Sequence, residues 1–185
     1  MSGDPPRGLE LLRGFVNTWE ADQGRDAVGD PAALQSWLQE QGLLEAGEAV
    51  DGAGHRRALR LREAVRRLGV ANHDGVADPV AAEELDALAA GCGLVVRLRG
   101  DGGAMLEAAG RGVDAALARL LAALYTATVD GTWERFKICG NDTCRWAFYD
   151  RSKNRSGRFC GTACGNAVAA RAYRRRKGAG QAAAP

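Results

Sequence analysis

The sequence lacks the features that secreted and membrane-spanning proteins require. Its first ten residues, MSGDPPRGLE, contain a proline pair and an acidic residue where a secretory signal needs a charged and then an apolar run. Its most apolar segment, residues 112–130, is interrupted by Asp114 and Arg119 and is shorter than a membrane span requires. We therefore expect a soluble, cytoplasmic protein with no membrane contact.

Histidine is scarce, with two residues, and the common motifs of catalytic sites are missing. His55 and His73 lie in polar surroundings, and neither has an evident nucleophile or metal-binding partner in the neighbouring sequence. The sequence contains no phosphate-binding loop and no nucleophile-elbow motif. The chain is therefore not expected to be an enzyme.

Four of the five cysteines form two close pairs, with the spacing C-x4-C-x15-C-x3-C. In a reducing compartment, paired cysteines are more often metal ligands than disulfides. Zinc binds four ligands in a tetrahedron, and each close pair can supply one edge of it. A full set of thiolates leaves no open position for water, so such a site is structural and not catalytic. We predict one zinc ion per chain, bound by Cys139, Cys144, Cys160 and Cys164.

Other interpretations of these cysteines stay open, namely free thiols, structural disulfides and a four-thiolate iron–sulfur site. The surrounding sequence favours zinc, because Gly140 and Asn141 tolerate the tight turn of a metal knuckle. Residues 146–150 and 157–160 are expected to pair as a hairpin, and a helix follows the second cysteine pair. A knuckle, a hairpin and a helix make a treble-clef-like zinc finger. The remaining cysteine, Cys92, is expected to be a buried structural thiol.

The charge of the chain is divided unevenly. Residues 133–177 contain 12 lysines and arginines against 3 acidic residues, a net charge of +9, whereas the whole chain has a formal net charge of +2. The remainder of the chain therefore has a net charge of −7. A basic end on an acidic body indicates a module that meets a polyanion, joined to one that does not.

The basic residues continue into the helix that is predicted after the second cysteine pair. Successive residues of a helix are about 100° apart, so four consecutive basic residues surround its last turn. Asn166, near the helix start, can contact the edge of an adenine, although a local turn bond explains it equally well. Basic residues at a helix end also favour the helix dipole, which accounts for part of the charge. We predict nucleic-acid contacts by Asn166, Arg171, Arg174, Arg175, Arg176 and Lys177.

The acidic part of the chain has the sequence pattern of helices. Asp30 and Asp78 are N-cap residues, each followed by a proline at the first helical position. Residues 55–69 predict an amphipathic helix whose arginines form a solvated face. Residues 94–99 and 104–108 predict a hairpin. The expected fold class is therefore α+β, with a mostly helical amino-terminal domain that contains a small β-hairpin, followed by the zinc finger.

The domain boundary is expected near residue 131. A long apolar helix at 113–129 completes the front domain, residues 7–131, and the strand WERFKI leads into the zinc finger, residues 132–177. Residues 178–185 are expected to be a disordered tail. The front domain should fold without the finger, whereas a segment as short as the finger needs metal to fold. The predicted core of the front domain contains Leu34, Trp37, Leu38, Leu117, Leu120, Leu121 and Leu124.

Two stretches of the sequence resemble a known bacterial family. CGTACGNAVAARAYRRR, after CGNDTCRWAFYDRSKNRSGRFC, resembles the CGNR zinc finger, and GFVNTWE with DPAALQSWLQEQGLL resembles the opening of the ABATE domain that precedes this finger. The family signature continues Cys-Gly-Asn with arginine, whereas Ala167 occupies that position here, so the role of that arginine is either missing or has moved to Arg171. Members of the family are regarded as stress-induced transcription regulators, so the resemblance implies DNA binding.

Duplex DNA is thus the expected partner, and three alternatives stay open. RNA can stack on aromatic residues of the finger, the finger can contact another protein, and oxidation of the zinc thiolates can make the module a redox sensor. The aromatic residues in question are Trp146, Phe148, Tyr149 and Tyr173. The front domain is expected to form a homodimer and to offer a site for an unknown effector, with Asn17, Thr18 and Trp19 as its most distinctive polar cluster.

Overall fold

Helices dominate the fold. The computed structural model describes residues 4–182, and the protein is about 53% helical. The described residues form six α-helices, which are α1 (Arg7–Val16), α2 (Pro31–Glu40), α3 (Gly52–Asp74), α4 (Pro79–Gly91), α5 (Gly112–Val129) and α6 (Thr162–Ala182). They also form three antiparallel strand pairs, which are β1 (Trp19–Glu20) with β2 (Arg25–Asp26), β3 (Leu94–Leu98) with β4 (Ala104–Ala108), and β5 (Phe136–Ile138) with β6 (Ala147–Tyr149). This confirms the predicted α+β class.

Hydrogen bonds between residues close together in the sequence define where three of the helices begin. The carboxylate of Asp30 accepts a hydrogen bond from the backbone N–H of Ala33 at 2.9 Å, and Asp78 accepts one from Ala81 at 3.0 Å. Both residues are therefore N-caps, as the sequence predicts. Asp51 caps α3 in the same way, although the sequence pattern did not predict it. Local hydrogen bonding thus defines where α2, α3 and α4 begin.

A single hydrophobic core joins α1 to α5. The predicted core residues are all part of it: Leu34, Leu38, Leu117, Leu120 and Leu121 are buried, and Trp37 and Leu124 pack against them. By length and composition, α5 could cross a membrane, contrary to the expectation that it is too short. Its leucines nevertheless face this core, and the core helix of a soluble protein satisfies the same criteria.

The arginines of α3 do not all form the predicted solvated face. The side chains of Arg62 and Arg66 are only 5% and 1% exposed. Arg62 donates two hydrogen bonds to the carboxylate of Asp26, at 2.7 and 2.8 Å, while Arg66 donates to the backbone carbonyls of Val16 and Arg145 at 2.7 and 3.0 Å. A guanidinium group has five N–H donors, and these acceptors pair two of them in each arginine away from water. The prediction is wrong for these two residues because the helical pattern alone cannot show distant acceptors.

The strand pair β5–β6 packs into the same core as the front helices. Phe136, Ile138 and Ala147 are buried among the core residues of that domain. Gly69 of α3 makes room for them, because a Cβ atom at this position would lie 3.0 Å from the ring of Phe136 and 3.1 Å from Ile138. The predicted boundary near residue 131 therefore crosses a continuous core. Whether residues 7–131 fold alone is not tested by this structure, and the shared core is a reason to expect that they need β5 and β6.

The last helix is longer than the sequence predicts. α6 continues through Ala182, so residues 178–182 are helical where a disordered tail is predicted for 178–185. Residues 183–185 lie outside the described part of the chain. Two of these five residues are glycines, which are weak helix formers, so the continuation extends the helix that the alanines and arginines of residues 167–177 have already formed.

Candidate metal centre and basic helix

The four predicted zinc ligands converge on one point. Their Sγ atoms all lie within 4.8 Å of one another, with 3.8 Å between Cys144 and Cys160 and 3.7 Å between Cys160 and Cys164. A tetrahedral zinc ion with Zn–S bonds of about 2.3 Å requires sulfur–sulfur separations of roughly 3.8 Å. The four thiols thus have both the chemistry and the spacing that zinc requires. Cys92 is buried elsewhere in the core and takes no part.

Two backbone segments hold these thiols together. Cys139 follows β5, and the chain then turns so that the N–H of Cys144 donates to the carbonyl of Asn141 at 2.8 Å. The N–H of Gly140 donates to the carbonyl of Arg158 at 2.8 Å, which ties the first cysteine pair to the segment that carries the second. The site is therefore preformed by main-chain hydrogen bonds on one side and by the start of α6 on the other.

Gly140 and Asn141 have more specific roles than the turn that the sequence suggests. A Cβ atom on residue 140 would lie 2.6 Å from Cε1 of His73, so glycine is required for close packing against α3. The buried amide of Asn141 donates to Sγ of Cys164 at 3.5 Å. This hydrogen bond lowers the pKa of the Cys164 thiol, because it stabilises the thiolate. Asn141 also accepts a hydrogen bond from the guanidinium of Arg171 on α6.

The four thiols of the cluster cannot all ionise unless a cation is bound between them. Burial raises the pKa of the Cys144 thiol to about 11, and Cys164 and Cys139 add to this rise, while hydrogen bonds with Trp146 and Cys160 oppose it. Four such groups packed within one sphere cannot all ionise in the absence of positive charge. A bound metal ion reverses this, because a coordinating thiol is deprotonated outright. The cluster therefore fits a divalent metal ion better than four free thiols.

The hairpin of the finger differs from the predicted one. Residues 146–150 were expected to pair with 157–160, but β6 pairs instead with β5, and Ala147 lies opposite Ile138. Residues 157–160 form no strand. The predicted pairing is wrong because the segment between them folds around a buried carboxylate, that of Asp150.

Asp150 organises this loop through hydrogen bonds. Its carboxylate accepts from the ammonium of Lys137 at 2.8 Å and from the backbone N–H groups of Ser152 at 2.9 Å and Gly157 at 2.8 Å. Burial opposes ionisation of Asp150, but these donors outweigh it and lower the pKa of the carboxyl to about 2. Both side chains of the Lys137–Asp150 ion pair are buried. Lys137 is therefore part of the framework and not a nucleic-acid contact.

Sequence comparison agrees with this architecture. Residues 135–177 match the family model of the CGNR zinc finger. Residues 10–131 match the ABATE family model, whose description reads "Putative stress-induced transcription regulator". The chain belongs to the ABATE family. No curated protein matches the sequence. The CGNR match and the thiol cluster together establish one zinc ion per chain, as predicted.

The basic residues of the finger fall into two groups. Five of them have partners within this ABATE-family protein, namely Arg135, Lys137, Arg151, Arg155 and Arg171. The other seven make no side-chain hydrogen bond or ion pair with any described residue, namely Arg145, Lys153, Arg158, Arg174, Arg175, Arg176 and Lys177. All seven are exposed. A large part of the charge of the finger therefore faces solvent.

All six predicted nucleic-acid contacts lie on the helix α6, outside the ABATE body, residues 10–131. The helix begins beside Cys164, and its 21 residues give it a length of roughly 31 Å. Asn166 is exposed and makes no side-chain hydrogen bond within the described part of the chain, so the local turn bond considered for it is not formed. The cluster Arg174 to Lys177 lies about 12 Å further along the helix. Arg171 alone among the predicted contacts is engaged, through Asn141.

The residues that join the finger to the ABATE body were not recognised as such from the sequence. The amide of Asn17 donates to the carbonyl of Ala147 at 3.0 Å and accepts from its N–H at 2.7 Å, which is the pairing that a neighbouring strand would provide. Asn72 of α3 donates to the carbonyls of Trp133 and Phe136 at 2.9 and 3.0 Å. The sequence marks Asn17 only as part of the polar cluster with Thr18 and Trp19, because its partner Ala147 is 130 residues away. Its burial also removes it from any effector site.

Proposed function

We propose that this ABATE-family protein is a transcription regulator that binds duplex DNA in the cytoplasm through α6, and that it catalyses no reaction. The observation that carries the proposal is the position of this helix. Among the described residues, α6 is joined to the body through the zinc cluster and the Asn141–Arg171 contact, while its outer side is free. A helix that projects with unpaired basic residues can enter a major groove.

Helical geometry indicates which side of α6 faces the groove. Tyr173 and Lys177 lie about 20° to either side of Asn166 around the helix axis, because they follow it at positions i+7 and i+11. Ala169 and Ala170 lie on the same side, and their small side chains let a DNA backbone approach closely. We call the side formed by Asn166, Tyr173 and Lys177 the outer face. Arg174 and Arg176 flank it at about 80° on either side.

The opposite side of α6 faces the zinc cluster. Cys164, Arg171 and Arg175 follow one another there at helical spacing, and the guanidinium of Arg171 contacts Asn141 beside the cluster. This contact argues against a transfer to Arg171 of the role of the arginine that the family signature has where Ala167 stands. Arg175, on this same side, is expected to contribute less to DNA affinity than Arg174 or Arg176.

The salt dependence of binding tests the proposal. Each phosphate contact makes the slope of log K against log salt concentration more negative by about 0.9. The variant Arg174→Ala/Arg176→Ala/Lys177→Ala should lower the steepness of this slope by about 2 to 3 and weaken binding to all sequences alike. The single variant Arg175→Ala should change this slope by less than the value of about 0.9 that one phosphate contact contributes. Fluorescence anisotropy with a labelled duplex at several salt concentrations measures both quantities.

A matched control variant distinguishes DNA binding by the basic residues of α6 from a general effect of removing positive charge. The side chains of Arg7, Arg56 and Arg111 are exposed outside the finger and make no ion pair with any residue between 4 and 177. Replacing these three by alanine removes the same charge, and the DNA affinity and its salt slope should stay close to those of the parent. Equal weakening by both triple variants would contradict the proposal. Tighter binding to single-stranded RNA than to duplex DNA would favour the RNA alternative, and no binding to either would favour a protein partner.

A second candidate function, oxidation sensing, is supported by the exposure of one zinc ligand. Cys160 is exposed to solvent, and its Sγ lies 3.7 Å from that of Cys164. A peroxide can oxidise two such thiolates to a disulfide, with its own reduction to water and release of the zinc ion. Zinc release under peroxide, measured with a chromogenic chelator, should be accompanied by loss of DNA binding and reversed by reductant with added zinc. Retention of zinc under the same peroxide treatment would contradict this function.

A further inference from the structure

The hairpin β3–β4 carries an apolar face that extends beyond the hydrophobic core. Opposite residues in an antiparallel pair share one face of the sheet. On one face of this hairpin the pairs are Leu94 with Ala108, Val96 with Leu106, and Leu98 with Ala104. At its base, Leu94 and Ala108 pack against the core. Towards its tip, Val96 and Leu98 are 64% and 84% exposed. An aliphatic surface therefore continues from the core into solvent.

The same residues of β3 form an unpaired strand edge. The N–H of Arg99 donates to Gly103 and that of Ala109 donates to Gly93, so the odd-numbered residues of β3 exchange hydrogen bonds with β4. The even-numbered residues Leu94, Val96 and Leu98 therefore turn their N–H and C=O groups away from β4. None of these groups has a hydrogen-bond partner among the described residues. Since α5 packs mainly against β4, the edge of β3 is the outer one.

We propose that β3 pairs in antiparallel fashion with β3 of a second copy of this chain, around a two-fold axis at Val96. The two hairpins then form one four-stranded sheet. In this register Leu94 lies opposite Leu98 of the second copy, and Val96 lies opposite itself. All three outward-facing residues of each strand exchange hydrogen bonds with the other strand, and any other two-fold register pairs fewer of them.

The structure favours a second copy over an unrelated strand. In this register the exposed tip residue Leu98 of each copy lies beside Leu94 of the other, which rests on its own core. Each copy thus supplies the apolar surface that covers the other's tip. Arg97 lies on the opposite face of the sheet, 3.7 Å from Glu107, so no unpaired charge of β3 enters the contact. Exposed edge strands are usually prevented from pairing with another chain by a proline, a β-bulge or a charged side chain on the inward face of the sheet, and β3 has none of these.

Mass measurements on the zinc-loaded full chain test this contact without DNA. The chain has a mass of 19.5 kDa, and sedimentation equilibrium of the parent should give twice this value. Val96→Lys places a charge in the centre of the contact and should yield a monomer with an unchanged circular dichroism spectrum. Met105→Lys is the matched control, because Met105 is exposed on the other strand and the other face; this variant should stay dimeric. A monomeric parent, or a dimeric Val96→Lys variant, would overturn the proposal.

Disulfide cross-linking tests the register itself. Directly opposite residues in a hydrogen-bonded antiparallel pair have Cα atoms about 5.5 Å apart, which a disulfide can span. Val96→Cys should therefore form a covalent dimer in oxidised glutathione, whereas the parent and Met105→Cys should not. A Met105→Cys dimer that formed as readily would place the contact elsewhere. This result is independent of DNA affinity, so failure of the dimer and failure of the proposed DNA binding can be told apart.

Discussion

Asn17 connects the two halves of the molecule, and its replacement gives the sharpest test of the fold. Its side-chain amide satisfies both the N–H and the C=O of Ala147, a residue with no solvent exposure. Asn17→Ala leaves both groups buried and without a partner. Each unsatisfied group costs about 1–3 kcal/mol, so the free energy of unfolding should fall by about 2–6 kcal/mol. For a chain of this size, each kcal/mol lowers the midpoint of thermal unfolding by roughly 2–4 °C, so the midpoint should fall by about 4–24 °C.

Asn166→Ala is the matched control, because Asn166 is exposed and makes no side-chain hydrogen bond within residues 4–177. Its effect on stability should stay below about 0.5 kcal/mol. Asn17→Asp should also destabilise the protein, since a carboxylate keeps the acceptor but faces the carbonyl of Ala147 without a donor. Chemical denaturation measures all three variants, and hydrogen exchange should show faster exchange of the Ala147 amide in both Asn17 variants. A loss of stability in Asn17→Ala no larger than in Asn166→Ala would refute the reasoning.

Two further predictions concern the zinc centre and the loop beside it. Removal of zinc with a chelator should abolish DNA binding. It should reduce the helical signal in circular dichroism by no more than about a fifth, because α6 supplies 21 of the helical residues and the body keeps its core. A complete loss of the thermal unfolding transition would contradict this prediction. Asp150→Asn should lower stability near neutral pH by on the order of 2 kcal/mol, because the pKa of Asp150 in the folded protein, about 2, lies below the ordinary value of about 3.9. That stability is present above about pH 5 and is lost as the pH falls towards 2, so the difference between parent and variant, measured by denaturation at several pH values, should shrink over this range.

The zinc ligands and the helix starts could be predicted from the sequence because their signals are local. Two cysteine pairs within 26 residues can be brought together by short turns, so their spacing alone indicates a metal site. Asp30 and Asp78 cap helices through backbone groups three residues away. The hairpin β3–β4 likewise joins strands that are adjacent in the chain. In each case the sequence that forms the contact lies within a single segment.

The joint between the two halves could not be predicted, because its contacts are distant along the chain. Arg66 donates to a carbonyl 79 residues away, and Asn17 pairs with Ala147 across 130 residues. Backbone carbonyls are present at every position, so no residue type identifies the acceptor. The same limitation explains the wrong hairpin in the finger. Residues 146–150 have the pattern of a strand, but the buried pair of Lys137 and Asp150 determines which strand they join.

These distant contacts change the expected role of zinc. The finger is too short to bury a sufficient core by itself, so its length alone predicts that the whole finger folds only when the metal binds. The structure instead places β5 and β6 in the core of the ABATE body. The segment from Cys160 to the end of α6 depends on the thiol cluster and on a few contacts beside it, including Asn141 with Arg171 and the backbone bond to Gly140. We therefore expect zinc to fix the position of α6 on a body that folds without the metal.

Two truncated chains test this division of the finger. A chain ending at residue 131 lacks β5 and β6, so it exposes the surface of α3 around Gly69 and leaves Asn17 and Asn72 without their partners. We expect it to unfold at a much lower denaturant concentration than the full chain, or not to fold. A chain ending at residue 158 keeps both strands and the loop around Asp150 but lacks Cys160 and Cys164. It should fold cooperatively without zinc, with a midpoint close to that of the zinc-free full chain. If the chain ending at 131 is as stable as the one ending at 158, the body has its own complete core, and the original boundary near 131 is the correct one.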